Sequence, residues 1–173
     1  CAQRGLETLL YEQRMEELSL PHQYEVIMIP AGSFQLLEER ENALQALDNF
    51  YHHLDVGGRL ILDLFIPSDL APHTRTTRHL TTAGNELLTL ETNLFEVDLL
   101  RQKTVSFLRY EKWKEGKLLT TELQRLPIHW YGVEEFRLLL EKQGFSNITI
   151  SSAYQYGKLP TQVDEIITFD YSF

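Results

Sequence analysis

Apolar residues fall along this chain in two different rhythms, and the change between them divides it. From Tyr24 to Pro30 the run Tyr-Glu-Val-Ile-Met-Ile-Pro is nearly continuous and rich in β-branched side chains. That is the pattern of a strand buried on both faces of a parallel sheet. It empties into Ala31-Gly32-Ser33, small residues suited to a sharp exit loop. Over residues 37–54, Leu37, Leu44, Leu47, Phe50, Tyr51 and Leu54 recur at helical steps, with Glu38 and Glu39 near the start, where the helix dipole favours negative charge. Asp55-Val56-Gly57-Gly58 is expected to stop that helix, and Arg59 to Phe65 repeats the buried-strand pattern. Strand, helix and strand in this order make a right-handed parallel βαβ unit. Upstream, Thr8 to Glu12 reads as a short strand, and Pro21-His22 as a loop.

From about residue 74 the rhythm changes. Glu86–Glu96, Lys103–Trp113 and Leu118–Trp130 are rich in Thr, Val, Leu, Tyr and Trp, with Gly84-Asn85 and Glu115-Gly116 as turns between them. These segments predict an antiparallel hairpin layer. Helical spacing returns over Val133–Gln143 and ends at Gly144; Asn147–Ser152 and Val163–Tyr171 then read as closing strands. The fold class expected is α/β, with the hairpins inserted into a mixed sheet. Residues 1–72 form one part of the core, 73–130 the insertion, and 131–173 the closing helix and strands.

Charge narrows the partners. The chain carries 16 Lys+Arg against 25 Asp+Glu, a net of −9. Residues 1–70 hold 4 basic and 12 acidic side chains, and the remainder 12 and 13, so neither part offers the basic surface a nucleic acid requires. No apolar run approaches the ~18–20 residues that cross a bilayer. No basic segment leads into a hydrophobic one at the start, so no secretory signal is read. Cys1 is the sole cysteine, which excludes an internal disulfide framework and a cysteine-built zinc site. The expectation is a cytoplasmic protein without nucleic-acid or membrane partners and without a metal.

The chemistry-bearing motifs begin with absences. The chain has no GxGxxG dinucleotide loop, no GxxxxGK[ST] phosphate loop and no Gly-x-Ser-x-Gly around Ser33. His52 and His53 are adjacent on a helix and cannot face one metal ion together. Arg75 and Arg78 read as solvated charges. What stands out is a composite of segments: Tyr24–Pro30 running into Ala-Gly-Ser-Phe-Gln-Leu-Leu37, then Leu54-Asp-Val-Gly-Gly-Arg-Leu-Ile-Leu-Asp63, then Trp130-Tyr-Gly-Val-Glu-Glu-Phe-Arg-Leu-Leu-Leu-Glu-Lys-Gln-Gly-Phe145. In order and spacing this resembles the class I S-adenosylmethionine-dependent methyltransferases of the small-molecule type. In that family the fourth strand begins with "YD" and ends in a small-residue loop, a "L-x-P-G-G-x-L" turn opens the fifth, and "EL..LL..AGF" marks the last helix. The resemblance is strongest over residues 20–66 and 130–150.

The resemblance implies a partial Rossmann-like methyltransferase sheet with S-adenosylmethionine as cofactor and a small molecule as acceptor. Pro30, Ala31, Gly32 and Ser33 would line the methionine end of the cofactor, and Arg14 and Met15 would stand where the family contacts adenine. Phe34, for which a core role is the alternative, and Gln35, Arg109 and Trp130 would meet the acceptor, and His129 and Tyr131 are the candidates for moving or orienting a proton. Aromatic packing between hairpin and helix is the alternative role for the cluster at 129–131, and a plain strand-exit turn the alternative for 30–33. Three departures stand out. Arg14 replaces a hydrogen-bond-accepting acid, Val56 replaces the turn proline, and the family's glycine-rich first motif and second-strand acid are absent. With the family's sheet order 3-2-1-4-5-7-6, the expectation is a fragment with a bare edge on strand 24–30. Strand 8–12 shifting across, a second copy or a missing N-terminal half would cover that edge. The alternative function is a non-catalytic interaction or dimerisation module of the same fold.

Overall fold

The computed structural model describes residues 8–161 and 166–172. Two sheets share the chain. The first contains β1 (Tyr24–Ile29), β2 (Leu54–Phe65), β7 (Ser146–Ser152) and β8 (Ile166–Ser172) in the order β1-β2-β8-β7. The second contains β3 (Arg75–Thr81), β4 (Glu86–Asp98), β5 (Lys103–Lys114) and β6 (Lys117–His129) as a continuous antiparallel meander. Helices α1 (Arg40–His52) and α2 (Val133–Lys142) complete the regular elements.

β1 and β2 are parallel and joined through α1, as the βαβ pattern predicts, and β8 runs antiparallel to both its neighbours. The expected strand over residues 163–171 begins at Ile166 among the described residues; Val163, like Cys1, lies outside them. The helix expected over 37–54 is shorter: a 3-10 turn over Ser33–Leu36 precedes it, Leu37 to Glu39 stay non-helical, and Leu54 already opens β2. Gly57 and Gly58 do not form a loop after the helix. They lie within β2, where the pairing jumps from Tyr24↔Leu54 to Val26↔Arg59 and Gly57 takes φ +78°. Only glycine adopts that bulged geometry without steric cost.

One face of the first sheet carries the core. Leu60, Leu62 and Leu64 of β2 and Ile167, Phe169 and Tyr171 of β8 alternate onto it. They meet Ala43, Ala46, Leu47 and Phe50 of α1 and Phe136 and Leu140 of α2. The opposite face is bare: Val26 is 44% exposed and Met28 61%, and beside them Arg59 pairs with Asp170 across β2 and β8. This corrects the expectation that Tyr24–Pro30 is buried on both sides. A continuous apolar run reports that a strand can be covered, whereas the packing of this chain covers one side. Among the described residues β1 has no neighbour on its outer edge.

The short strand expected at 8–12 does not form. Residues 8–14 have no regular structure, and Leu9 and Leu10 are 71% and 89% exposed. Conversely β3 is a strand that the sequence pattern does not predict, since all seven of its residues are exposed and it shows no apolar alternation. The second sheet is fastened to the core by Arg125 on Glu38 (3.0 Å), Lys103 on Glu39 (3.0 Å) and Gln102 on Glu135 (2.8 Å), with Arg40 on the same Glu135 (2.9 Å). Exposed pairs of this kind contribute roughly 0–1 kcal/mol each, so the buried rings beneath them carry more of the attachment. Among the described residues no helix is long and apolar enough to cross a membrane.

Candidate functional site

The carboxyl end of β1 is where a parallel α/β sheet places its ligands, because the loops leaving adjacent strands diverge there. The chain turns at that point through two successive left-handed residues, Ala31 (φ +55°) and Gly32 (φ +68°), before Ser33 opens the 3-10 turn. Ser33 closes the turn by donating its hydroxyl to the Pro30 carbonyl (2.7 Å). Gly32 has no room for a side chain: a Cβ there would lie 2.4 Å from the Phe65 ring and 3.0 Å from Gln35 Oε1. The loop is therefore small by steric necessity, with Ala31 facing solvent.

Phe34 and Gln35, expected to touch an acceptor, are both buried. Gln35 uses its amide on the backbone of Phe65, accepting from the N–H (2.7 Å) and donating to the carbonyl (3.0 Å), and so ties the exit of β1 to the exit of β2. Phe34 sits against Tyr131 (6.0 Å between ring centres) and Phe136 (5.5 Å). Both side chains shape the loop from behind.

Arg14 and Met15 are not brought to the loop. Met15 lies beside the C-terminal half of α1, where its carbonyl accepts from Asn49, and the exposed Arg14 pairs with the largely covered side chain of Glu16. Arg109 stands apart as well. It lies six residues beyond Lys103 on β5, about 20 Å along an extended strand, and is held by Glu91 (3.2 Å) and Glu111 (3.3 Å). Trp130 is half-buried; its backbone N–H donates to the Gln102 carbonyl (2.8 Å), while its indole nitrogen has no partner among the described residues.

His129 and Tyr131 are buried together, 2% and 1% exposed, with their rings stacked 4.6 Å apart. Burial pushes the Tyr131 hydroxyl far above its ordinary range, so its phenolate is inaccessible near neutrality. Burial, followed by the charges of Lys103 and Arg40, pulls His129 below its ordinary value. The folded protein thus holds His129 neutral where the unfolded chain, with a pKa of about 6.5, takes up a proton. Stability should be unaffected by this group above that value and fall as pH is lowered through it, by at most about 1.4 kcal/mol per pH unit. Urea unfolding between pH 7.5 and 5.5 should show this slope, and His129→Gln should remove it; an unchanged slope in that variant would contradict the assignment.

Residues that sequence reasoning did not single out complete the site. Phe65, at the end of β2, packs its ring on Gly32 and also lines a cavity of about 350 Å³ between the exit of β2 and the second sheet. The lining of that cavity is mixed: Asp69, Thr74 and Arg78, the last of which the sequence offers as a solvated charge, are joined by Ile66, Pro67 and Leu94. Behind the loop, the buried carboxylate of Asp63 receives the Ala31 N–H (3.0 Å). A lone acid inside the apolar run of β2 is the sequence signal that points to Asp63; nothing in the pattern marks Phe65.

These elements together define a class of fold: a mixed four-stranded sheet with helices on one face, joined to a four-stranded antiparallel sheet. No family model matches the chain, and no curated protein sequence matches it. Solved structures do. A S-adenosylmethionine-dependent methyltransferase from Clostridium acetobutylicum superposes over 99% of the chain and 67% of its own length, with a TM-score of 0.83 at 15% identity. DesVI from Streptomyces venezuelae gives 0.76 at 14% identity over 98% of this chain and 67% of its own. CalS10, an amino pentose methyltransferase from Micromonospora echinaspora solved with S-adenosylmethionine bound, gives 0.70 at 12% identity over 92% and 62%. The chain has the fold of the S-adenosylmethionine-dependent methyltransferases and spans 62–67% of the length of these three structures.

Proposed function

We propose that the protein carrying this chain transfers a methyl group from S-adenosylmethionine to a small-molecule acceptor. The observation that supports this most directly is the left-handed, small-residue loop at the end of a parallel strand, beside a cavity of mixed lining, in a fold shared with methyltransferases. Pro30, Ala31, Gly32 and Ser33 form one wall for the methionine end of the cofactor, where small side chains let the backbone approach. The cofactor supplies an electrophilic methyl on a sulfonium, and the protein's main contribution is to align donor and acceptor in line. Phe65 borders both parts of the site, with its ring against Gly32 of the loop and lining the neighbouring cavity, without standing on the line between donor and acceptor. Tyr131 and His129 pack the joint between hairpin layer and helix.

The chain contains neither the glycine-rich loop nor the ribose-binding acid that the resemblance implies for a complete donor site. We place those parts in the remaining third of such a protein, laid against the bare face and outer edge of β1. The same unpaired edge favours a second reading, an interaction or dimerisation module without catalysis. A screen of small molecules with radiolabelled methyl donor separates the two. Label transfer to a small molecule supports the enzyme; activity on nucleic acid alone, or no transfer alongside a stable dimer, refutes it.

A further inference from the structure

Two strained loops meet on one carboxylate. Asp63 is 4% exposed and lies on β2, on the face that α1 and α2 leave uncovered. Its Oδ2 accepts the Ala31 N–H (3.0 Å) and the Tyr154 hydroxyl (3.3 Å), and its Oδ1 accepts the Thr168 hydroxyl (2.7 Å). Ala31 and Gly32 are consecutive left-handed residues; so are Ala153 (φ +50°) and Tyr154 (φ +57°), in the connection from β7 to β8. Alanine and tyrosine enter that region at a steric cost, and such conformations persist where surrounding contacts over-determine them. Here the over-determining group is shared. The Tyr154 ring is otherwise 63% exposed, an unusual place for a large aromatic with only its hydroxyl tethered.

We propose that Asp63 is a positioning residue that clasps the Pro30–Ser33 loop to the β7–β8 connection, fixing the donor-facing backbone and holding the Tyr154 ring as a wall at its rim. This rests on the methyltransferase reading for what the loop faces, but not for the clasp itself. A charged acceptor suits such a clasp, because hydrogen bonds to a carboxylate are stronger than neutral ones and one oxygen can take two donors. Thr168 holds the carboxylate from the neighbouring strand, so its orientation does not depend on either loop. Tyr154 reaches the same oxygen as Ala31, so both loops are held by one carboxylate that Thr168 orients independently of either.

The test separates clasp from ligand. Amide hydrogen exchange at Ala31 is measured in the native protein and in the Asp63→Ala, Asp63→Asn and Tyr154→Phe variants, alongside the affinity of the complete protein for S-adenosylhomocysteine. Asp63→Ala should speed exchange at Ala31 and weaken binding, each by about tenfold or more. Asp63→Asn, isosteric and still able to accept the Ala31 N–H, should restore most of both, a rescue that general loss of stability would not produce. Tyr154→Phe should leave Ala31 protected and weaken ligand binding. Equal exchange at Ala31 in Asp63→Ala, or faster exchange with unchanged affinity, overturns the proposal. If the native protein binds no S-adenosylhomocysteine, the methyltransferase reading fails, while exchange at Ala31 still decides whether the clasp exists.

Discussion

Phe136→Ala should destabilise the protein by about 3–5 kcal/mol, the range for emptying a buried aromatic site. Phe136 has no exposed surface, and its ring meets Phe34 (5.5 Å), Tyr131 (5.2 Å) and Phe169 (5.0 Å). These partners come from the turn after β1, the end of the hairpin layer, and β8, so one ring joins three parts of the chain. A loss of that size is a large share of the roughly 5–15 kcal/mol by which domains are stable. Leu138→Ala on the same helix, where the side chain is 56% exposed, provides the comparison and should change stability by no more than about 0.5 kcal/mol. Urea unfolding of both variants decides it; similar midpoints would show that α2 does not anchor the hairpin layer through Phe136.

Gly32→Val should abolish donor binding while the fold survives. Valine at φ +68° costs at least the ~1–2 kcal/mol of a left-handed L-residue. Its Cβ must also displace the Phe65 ring, from which it would be 2.4 Å away, and crowd Gln35 Oε1 at 3.0 Å. Moving Gln35 breaks its paired bonds with Phe65 and detaches the exit of β1 from that of β2. Both disturbances fall at the loop, leaving the core between sheet and helices in place. Affinity for S-adenosylhomocysteine should fall by about a hundredfold or more, which is about 2.7 kcal/mol.

Much of this architecture is legible in the sequence. The switch from buried-strand runs to threonine-rich hairpins marks the boundary near residue 74, and the helical spacing of Leu44, Leu47 and Phe50 and of Phe136 and Leu140 finds both helices. The errors have physical causes. Leu9 and Leu10 offer an apolar pair that stays exposed among the described residues, and a strand needs a partner. Strand β3 inverts that case: its polar residues are held by backbone pairing with β4, which leaves no trace in hydrophobic spacing. At the site, the resemblance picks out the Pro30–Ser33 loop for the methionine end; Arg14 and Met15, named for the adenine end, lie beside α1, and Arg109, named for the acceptor, lies on β5. The lone acid in the apolar run marks Asp63, but alternation assigns such a residue to the outward face, whereas here two loops and a neighbouring strand bury it.

Calorimetric titration of S-adenosylhomocysteine into the complete protein tests the central claim, that the Pro30–Ser33 loop forms part of a methyl-donor site. The account predicts saturable binding in the micromolar range, about −8 kcal/mol at 1 μM, and its loss in Gly32→Val at a retained cooperative unfolding transition. No binding by the native protein, or equal affinity in the native protein and Gly32→Val, would contradict it.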